Sequence, residues 1–229
     1  MNGAGGNARI WAILAITIVL RGDGWSLAGT SGAEEVEHRD FAIIVDGKRA
    51  GSYHMEITRR DDGISVMSGQ ADVRISYLVY RYSYRYRGVE SWKDGRLLRL
   101  DSGCNDNGKS FSVNAVAGND ALTVRVNGRE HLCPAEAWTT TYWHLPDAKL
   151  RNQQITLLDS DSGRVLNATL QYVGSAELNV AGTRQTCTRY RVSGDIGADL
   201  WYDDQERLVR EDTVEDGHRT AIELVRIRR

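Results

Sequence analysis

At the centre of the chain lies the stretch Tyr80–Trp92, Y-R-Y-S-Y-R-Y-R-G-V-E-S-W, in which aromatic and polar residues alternate. Tyr80, Tyr82, Tyr84 and Tyr86 share one parity, and Arg81, Ser83, Arg85 and Arg87 the other. A pleated strand sends successive side chains to opposite faces, so the alternation predicts a strand with phenols against protein and guanidinium groups in water. A helix would scatter the tyrosines around its circumference. If the strand runs through Gly88 without a bulge, Glu90 and Trp92 continue the tyrosine face; a bulge there would reverse them.

Turn dipeptides punctuate the rest of the chain at the spacing of an antiparallel meander. Asp46–Gly51 links Phe41–Val45 to Ser52–Thr58, and Asp62-Gly63, Asp94-Gly95, Asn107-Gly108, Asn127-Gly128, Ala181-Gly182 and Asp216-Gly217 each separate apolar, alternating segments. Such pairs tolerate the positive φ that hairpins need. Val165–Val173 and Ala176–Val180 read as two further strands. The count reaches a dozen or more, with no βαβ pattern and no fixed-period repeat. Strand twist accumulates, so a meander this long curls. The expected fold is all-β: one strongly curved antiparallel meander, a β-roll or open barrel, filling residues 34–229 as a single domain.

Periodicity fails between Glu130 and Asn152, which carry both prolines and the run Thr139-Thr140-Thr141-Tyr142-Trp143-His144. This reads as a crossing segment with a short helix near Ala135–Trp138.

Residues 1–33 read as a leader and linker. Ile10–Leu20 is an apolar run between Arg9 and Arg21, about half as long as a membrane-spanning helix, with small-residue cleavage sites after Ala28 and Ala33. An exported protein, periplasmic or extracellular and without a membrane span once the leader is removed, is the expectation. Net charge is −2 for the whole chain, which gives no electrostatic footprint for nucleic acid. Three cysteines in an oxidising compartment allow at most one internal bridge, and Cys104 with Cys133 is the expected pair. His131-x-Cys133 is too sparse for zinc, and no sequence feature implies a cofactor.

Several motifs occur together: Val45-Asp46-Gly47-Lys48 with Gly51, Glu90-Ser91-Trp92-Lys93-Asp94-Gly95-Arg96-Leu97, Asn105-Asp106-Asn107-Gly108-Lys109, Thr141-Tyr142-Trp143-His144, and Asp199-Leu200-Trp201-Tyr202-Asp203. In this order they resemble an exported bacterial family of unknown function, the domain-of-unknown-function family 6134, across essentially the whole mature chain. The resemblance implies a single all-β domain behind a signal peptide, and no activity.

Three groups of residues can carry function. Glu90 is a carboxylate on an aromatic face, fit for a general acid or a ligand's polar end; the plainer reading is a strand-end ion pair or hydrogen bond. Asp101 or Asp106 can partner it as a paired-carboxylate hydrolase site, although Asp106 reads more simply as a turn residue. Tyr142, Trp143 and His144 either plug the roll or present an acid-base histidine. Trp201 and Tyr202 either pack as core or stack on a ligand at the rim. The leading expectation is a non-enzymatic binder of a lipid or other amphipathic molecule, or of an envelope protein, in a trough lined by Tyr80, Tyr82, Tyr84 and Tyr86, with Glu90, Trp92, Tyr142, Trp143, His144, Trp201 and Tyr202 around it. The alternatives are an envelope hydrolase using Glu90 and His144, and a structural protein that pairs through sheet edges.

Overall fold

The computed structural model describes residues 34–229 apart from 78, 79 and 216; the side chains of 77–80 lie outside the description too. The expected leader therefore falls outside the described residues, as does the side chain of Tyr80.

Among the described residues, fifteen strands form one sheet. The first arm is β1 (Glu35–Val45), β2 (Lys48–Arg59), β3 (Ile64–Tyr77), β4 (Tyr80–Lys93), β5 (Arg96–Asp106), β6 (Lys109–Ala117), β7 (Ala121–Val126) and β8 (Arg129–Pro134). The second is β9 (Trp138–Thr139), β10 (Gln153–Leu158), β11 (Val165–Val180), β12 (Thr183–Gly194), β13 (Ala198–Tyr202), β14 (Leu208–Glu215) and β15 (His218–Arg228). Chain neighbours pair antiparallel, except that β9 runs parallel to β10 and that β8 and β9 do not pair. β1 also pairs with β15, so the arms meet at the first and last strands and the sheet ends at β8 and β9, unclosed by backbone bonds.

Among the described residues, five hairpins turn on two residues that both have positive φ: Asp46-Gly47, Asp94-Gly95, Asn107-Gly108, Asn127-Gly128 and Ala181-Gly182. That conformation matches the twist of the flanking strands, which is why Asp, Asn and Gly recur there. The first link is thus shorter than the expected Asp46–Gly51, because β2 already starts at Lys48. β11 is one strand, not two: Gly174 sits at a bulge after Tyr172 and re-aims the strand without ending it. No helix forms near Ala135–Trp138, where a turn precedes β9; the short 3₁₀ turn is instead at Ala148–Leu150, capped by Asp147.

The tyrosine strand behaves as its parity predicts. Gly88 pairs squarely with Gly69 and Ser102, without a bulge, so Tyr86, Glu90 and Trp92 all face inward while Arg81, Arg85 and Arg87 are exposed. The paired glycines have a packing role. A Cβ on Gly88 would meet Tyr86 Oη at 2.1 Å, and one on Gly69 would meet Tyr53 Oη at 2.7 Å, so the rings lie over bare backbone. They meet edge to face, with centroids 6.5 Å apart. The middle of the roll is therefore packed with its own side chains, Phe41, Met55, Met67 and Leu100 among them.

The expected Cys104–Cys133 bridge does not form; all three cysteines are buried and free. Cys104 lies on β5 and Cys133 on β8, three strand spacings away, roughly 14 Å along the sheet and beyond the Cα separation a disulfide spans. Burial pushes the thiols up, Cys104 to about 12.

Candidate functional site

The inward-facing residues divide into two unlike ends. Along β4, burial is nearly complete at Trp92, Glu90 and Tyr86 and becomes partial at Tyr84 and Tyr82. β1 follows the same gradient from Phe41 and Ile43 to Val45, and β14 from Leu208 through Glu211 to exposed Glu215. One end of the roll is stoppered. At the other, here the mouth, the inward side chains keep part of their surface.

The stopper is the crossing segment. Trp138, Tyr142 and Trp143 are buried, and Tyr142 holds φ at +49°, an uncommon conformation for a bulky residue that packing on all sides maintains. Its carbonyl accepts from Tyr202 Oη at 3.0 Å, and its ring stands against Trp138. At the centre lies Glu90, fully buried. Glu90 Oε2 faces Trp92 Nε1 at 2.8 Å, Thr139 Oγ1 at 3.0 Å and Trp143 Nε1 at 3.2 Å, and Oε1 faces Thr141 Oγ1 at 2.9 Å. Thr139 Oγ1 and Thr141 Oγ1 are also 2.9 Å apart. These five contacts need five protons, whereas two indoles and two hydroxyls supply four. A proton on Glu90 completes the set: Oε1 donates to Thr141, Thr141 to Thr139, and Thr139 to Oε2. Burial, which raises the Glu90 pKa against those hydrogen bonds, agrees with a neutral acid.

His144 packs edge to face against the same indoles, 5.0 Å from Trp92 and 4.1 Å from Trp143 between ring centroids. Nδ1 donates to the Leu145 carbonyl at 2.9 Å, and burial lowers the ring's pKa to about 4, so it is neutral. Glu90 and His144 thus contact the same two indoles, but no hydrogen bond joins them among the described residues and Glu90 has no exposed surface. Beneath them is a buried ion pair. Arg39 donates to Glu37 at 2.7 Å and to the Trp143 carbonyl at 2.6 Å, and Arg207 and Arg229 reach Glu37 Oε2 from the side. Desolvation raises the Glu37 pKa, yet these cations bring it below its usual range. Charge here is matched and satisfied.

Two expected partners of Glu90 are elsewhere. Asp101 pairs with Val89 in register, faces outward, and binds Arg99 and Asn114. Asp106, at the far end of β5, lies near Tyr82. No paired-carboxylate site forms around Glu90. Trp201 and Tyr202 likewise part company: Tyr202 enters the core, whereas Trp201 faces outward between the guanidinium groups of Arg189 and Arg210, 5.1 and 5.4 Å from its ring.

The mouth holds what sequence reading missed, Asp161 and Glu211. The tip of the β10–β11 hairpin reaches across the unclosed side of the sheet. There Tyr84 Oη donates to Asp161 at 2.7 Å, Ser102 Oγ to the Ser160 carbonyl at 2.5 Å, and His131 lies 3.0 Å from the Gly163 carbonyl. Glu211 points inward from β14, opposite Leu200 and Ile222 in register. Burial, then carboxylate neighbours, raise Asp161 to about 7 and Glu211 to about 8. Among the described residues neither forms an ion pair. Tyr142 Oη is buried without a hydrogen-bond partner, and the charges acting most on it are those of Glu211 and Asp159. The strand parity of Glu211, with Leu200 buried beside it, was the available signal; Asp161 sits in a turn motif that gives none.

Residues 41–225 match the family described as domain of unknown function DUF6134. The chain belongs to this family. No curated protein matches it. Among solved structures, this DUF6134 chain is similar to the crystal structure of a beta-barrel-like protein of domain of unknown function DUF1849 from Brucella abortus. The TM-score is 0.64 at 9% identity, with 84% of this chain and 97% of that chain covered. That likeness concerns the fold alone.

Proposed function

We propose that this DUF6134 protein is an exported binding protein that takes the apolar part of an amphipathic molecule into the open end of its rolled sheet. The observation that carries the reading is the burial gradient along β4. Tyr86 is packed over Gly88, whereas Tyr84 and Tyr82 face the same interior and keep part of their surface, beside the half-buried Ile75 and Ile222. Aromatic rings with an apolar body and a polar tip suit a molecule that is itself part apolar. The site is the mouth, not a trough along the whole tyrosine face.

The stopper supports a non-catalytic reading, because Glu90 has no exposed surface and its hydrogen-bonding positions are filled from within the chain. Solvent extraction and mass spectrometry of the protein purified from envelope fractions test the proposal. A co-purifying amphiphile at near-equal molar ratio is expected, and it should be lost from a Tyr82→Ala/Tyr84→Ala variant. Protein free of such molecules, which also fails to take up added ones, overturns it. Export is tested separately by N-terminal sequencing, with a mature chain starting after Ala28 or Ala33 as the expected result.

A further inference from the structure

The outer face of the first arm carries a groove separate from the mouth. Register sets Gln70, Arg87, Gly103 and Ser112 in one row across β3 to β6, and Val89 and Asp101 in the next row. All share the outward parity of Arg85, and together they line a hollow of about 440 Å³. Its floor includes the backbone of Gly69 and Gly88, whose inner side Tyr53 and Tyr86 already cover. Gly103 leaves the row interrupted. A Cβ there would meet nothing closer than the Phe111 carbonyl at 3.9 Å, so the interruption is open space that no neighbouring side chain fills.

Charge marks one side of that gap. Three arginines on the same face are paired, Arg85 with Asp72, Arg99 with Asp101 and Arg125 with Glu130. Arg87 is exposed and, among the described residues, makes neither a hydrogen bond nor an ion pair. Asp101 is already engaged by Arg99 and Asn114. The groove thus offers one unanswered positive charge, two side chains that both donate and accept, Gln70 and Ser112, and an apolar patch at Val89, which is 43% exposed. A free guanidinium suits a planar carboxylate, which it holds with two parallel bonds. A doubly charged phosphate would find no second free cation in the lining and would face the Asp101 carboxylate. Hydroxyl groups match the amide and the serine, and the C–H face of a sugar ring matches Val89 and the glycine floor.

We infer that this groove is a second binding site, for an acidic saccharide lying across the strands, with a carboxylate on Arg87 and a ring seated over Gly103. It lies on the face of the sheet opposite the mouth and does not rest on the reading of the mouth.

Titration of the full chain at pH 7 with digalacturonate and with its dimethyl ester, followed by backbone NMR shifts, tests charge and place together. The free acid is expected to bind at least about tenfold more tightly than the ester, with shifts centred on β4 and β5. Arg87→Gln should erase that preference. Because Arg87 has no partner in the fold to lose, the thermal midpoint should stay where it is. Gly103→Thr fills the gap and should abolish binding of both probes, whereas Tyr82→Ala/Tyr84→Ala at the mouth should leave both unchanged. Circular dichroism shows whether Gly103→Thr folds, and if it does not, Arg87→Gln decides alone. Equal affinities, a preference that survives Arg87→Gln, shifts confined to the mouth, or no binding by either probe overturns the inference.

Discussion

The stopper and the mouth are built on the same strands yet solve opposite problems. At the stopper each buried charge has a counterpart: Arg39 sits on Glu37, and Arg207 bridges Glu37 and Asp203, while Glu90 has hydrogen-bond partners on both carboxyl oxygens. At the mouth, Asp161 has one phenol donor and Glu211 has no hydrogen bond among the described residues. The match concerns charge and not every polar atom, since Trp138 Nε1 and Tyr142 Oη are buried in the stopper without a hydrogen-bond partner. The difference puts the matched charges at one end of the β4 strand and the unpaired carboxylates at the other.

Substitutions at Glu90 should break this contrast most strongly. Glu90→Ala leaves two indoles and two threonine hydroxyls without their acceptor and should cost about 4 kcal/mol in chemical denaturation. Glu90→Gln keeps an acceptor and replaces the acid proton with N–H, so it should cost under about 1 kcal/mol. A large cost for Gln would show that Glu90 is ionised in the fold. Arg39→Met, which strands Glu37 with its two remaining cations, should cost about 3 kcal/mol.

The ends also answer differently to pH. Asp161 and Glu211 hold their protons more tightly folded than unfolded, so stability falls as pH rises from about 4, where the unfolded groups titrate, to about 8, where the folded ones do. Buried Glu90 adds to this trend. Glu37, with a lowered pKa, acts in the reverse sense: it stabilises the fold above the unfolded carboxyl pKa and loses that contribution as pH drops through the folded value. Thermal midpoints at pH 5.5 and 8.5 should differ by the equivalent of about 5 kcal/mol, and Glu211→Gln should narrow the gap. The smallest effect belongs to Tyr84→Phe, which removes one hydrogen bond at the mouth and should cost about 1 kcal/mol or less by denaturation.

Parity along Tyr80–Trp92, together with the X-Gly turns, was enough to read the hairpins and the inward face, because both are local properties of backbone geometry. The resemblance to the DUF6134 family was legible in the short motifs, whose pieces proved to lie far apart in the fold: Glu90, Thr141 and Trp143 meet in the stopper. What stayed hidden depends on register between distant strands. Nothing near Asp161 marks it as a mouth residue, since its environment comes from Tyr84, seventy-seven positions earlier in the chain. The bulge at Gly174 and the turn at Ala135 were misread for a related reason: glycine and proline mark interruptions without stating whether a strand bends or stops.

The pairing of β1 with β15 has a bearing on biosynthesis. Strands β2 to β8 can zip up hairpin by hairpin as the chain emerges, and β10 to β14 can do the same, but the seam between them must wait for the final residues of the domain. A ribosome or translocation channel still holding the last strand therefore holds two half-sheets, each with an unfinished edge at its centre, and delivery of β15 is the event that turns them into one protein.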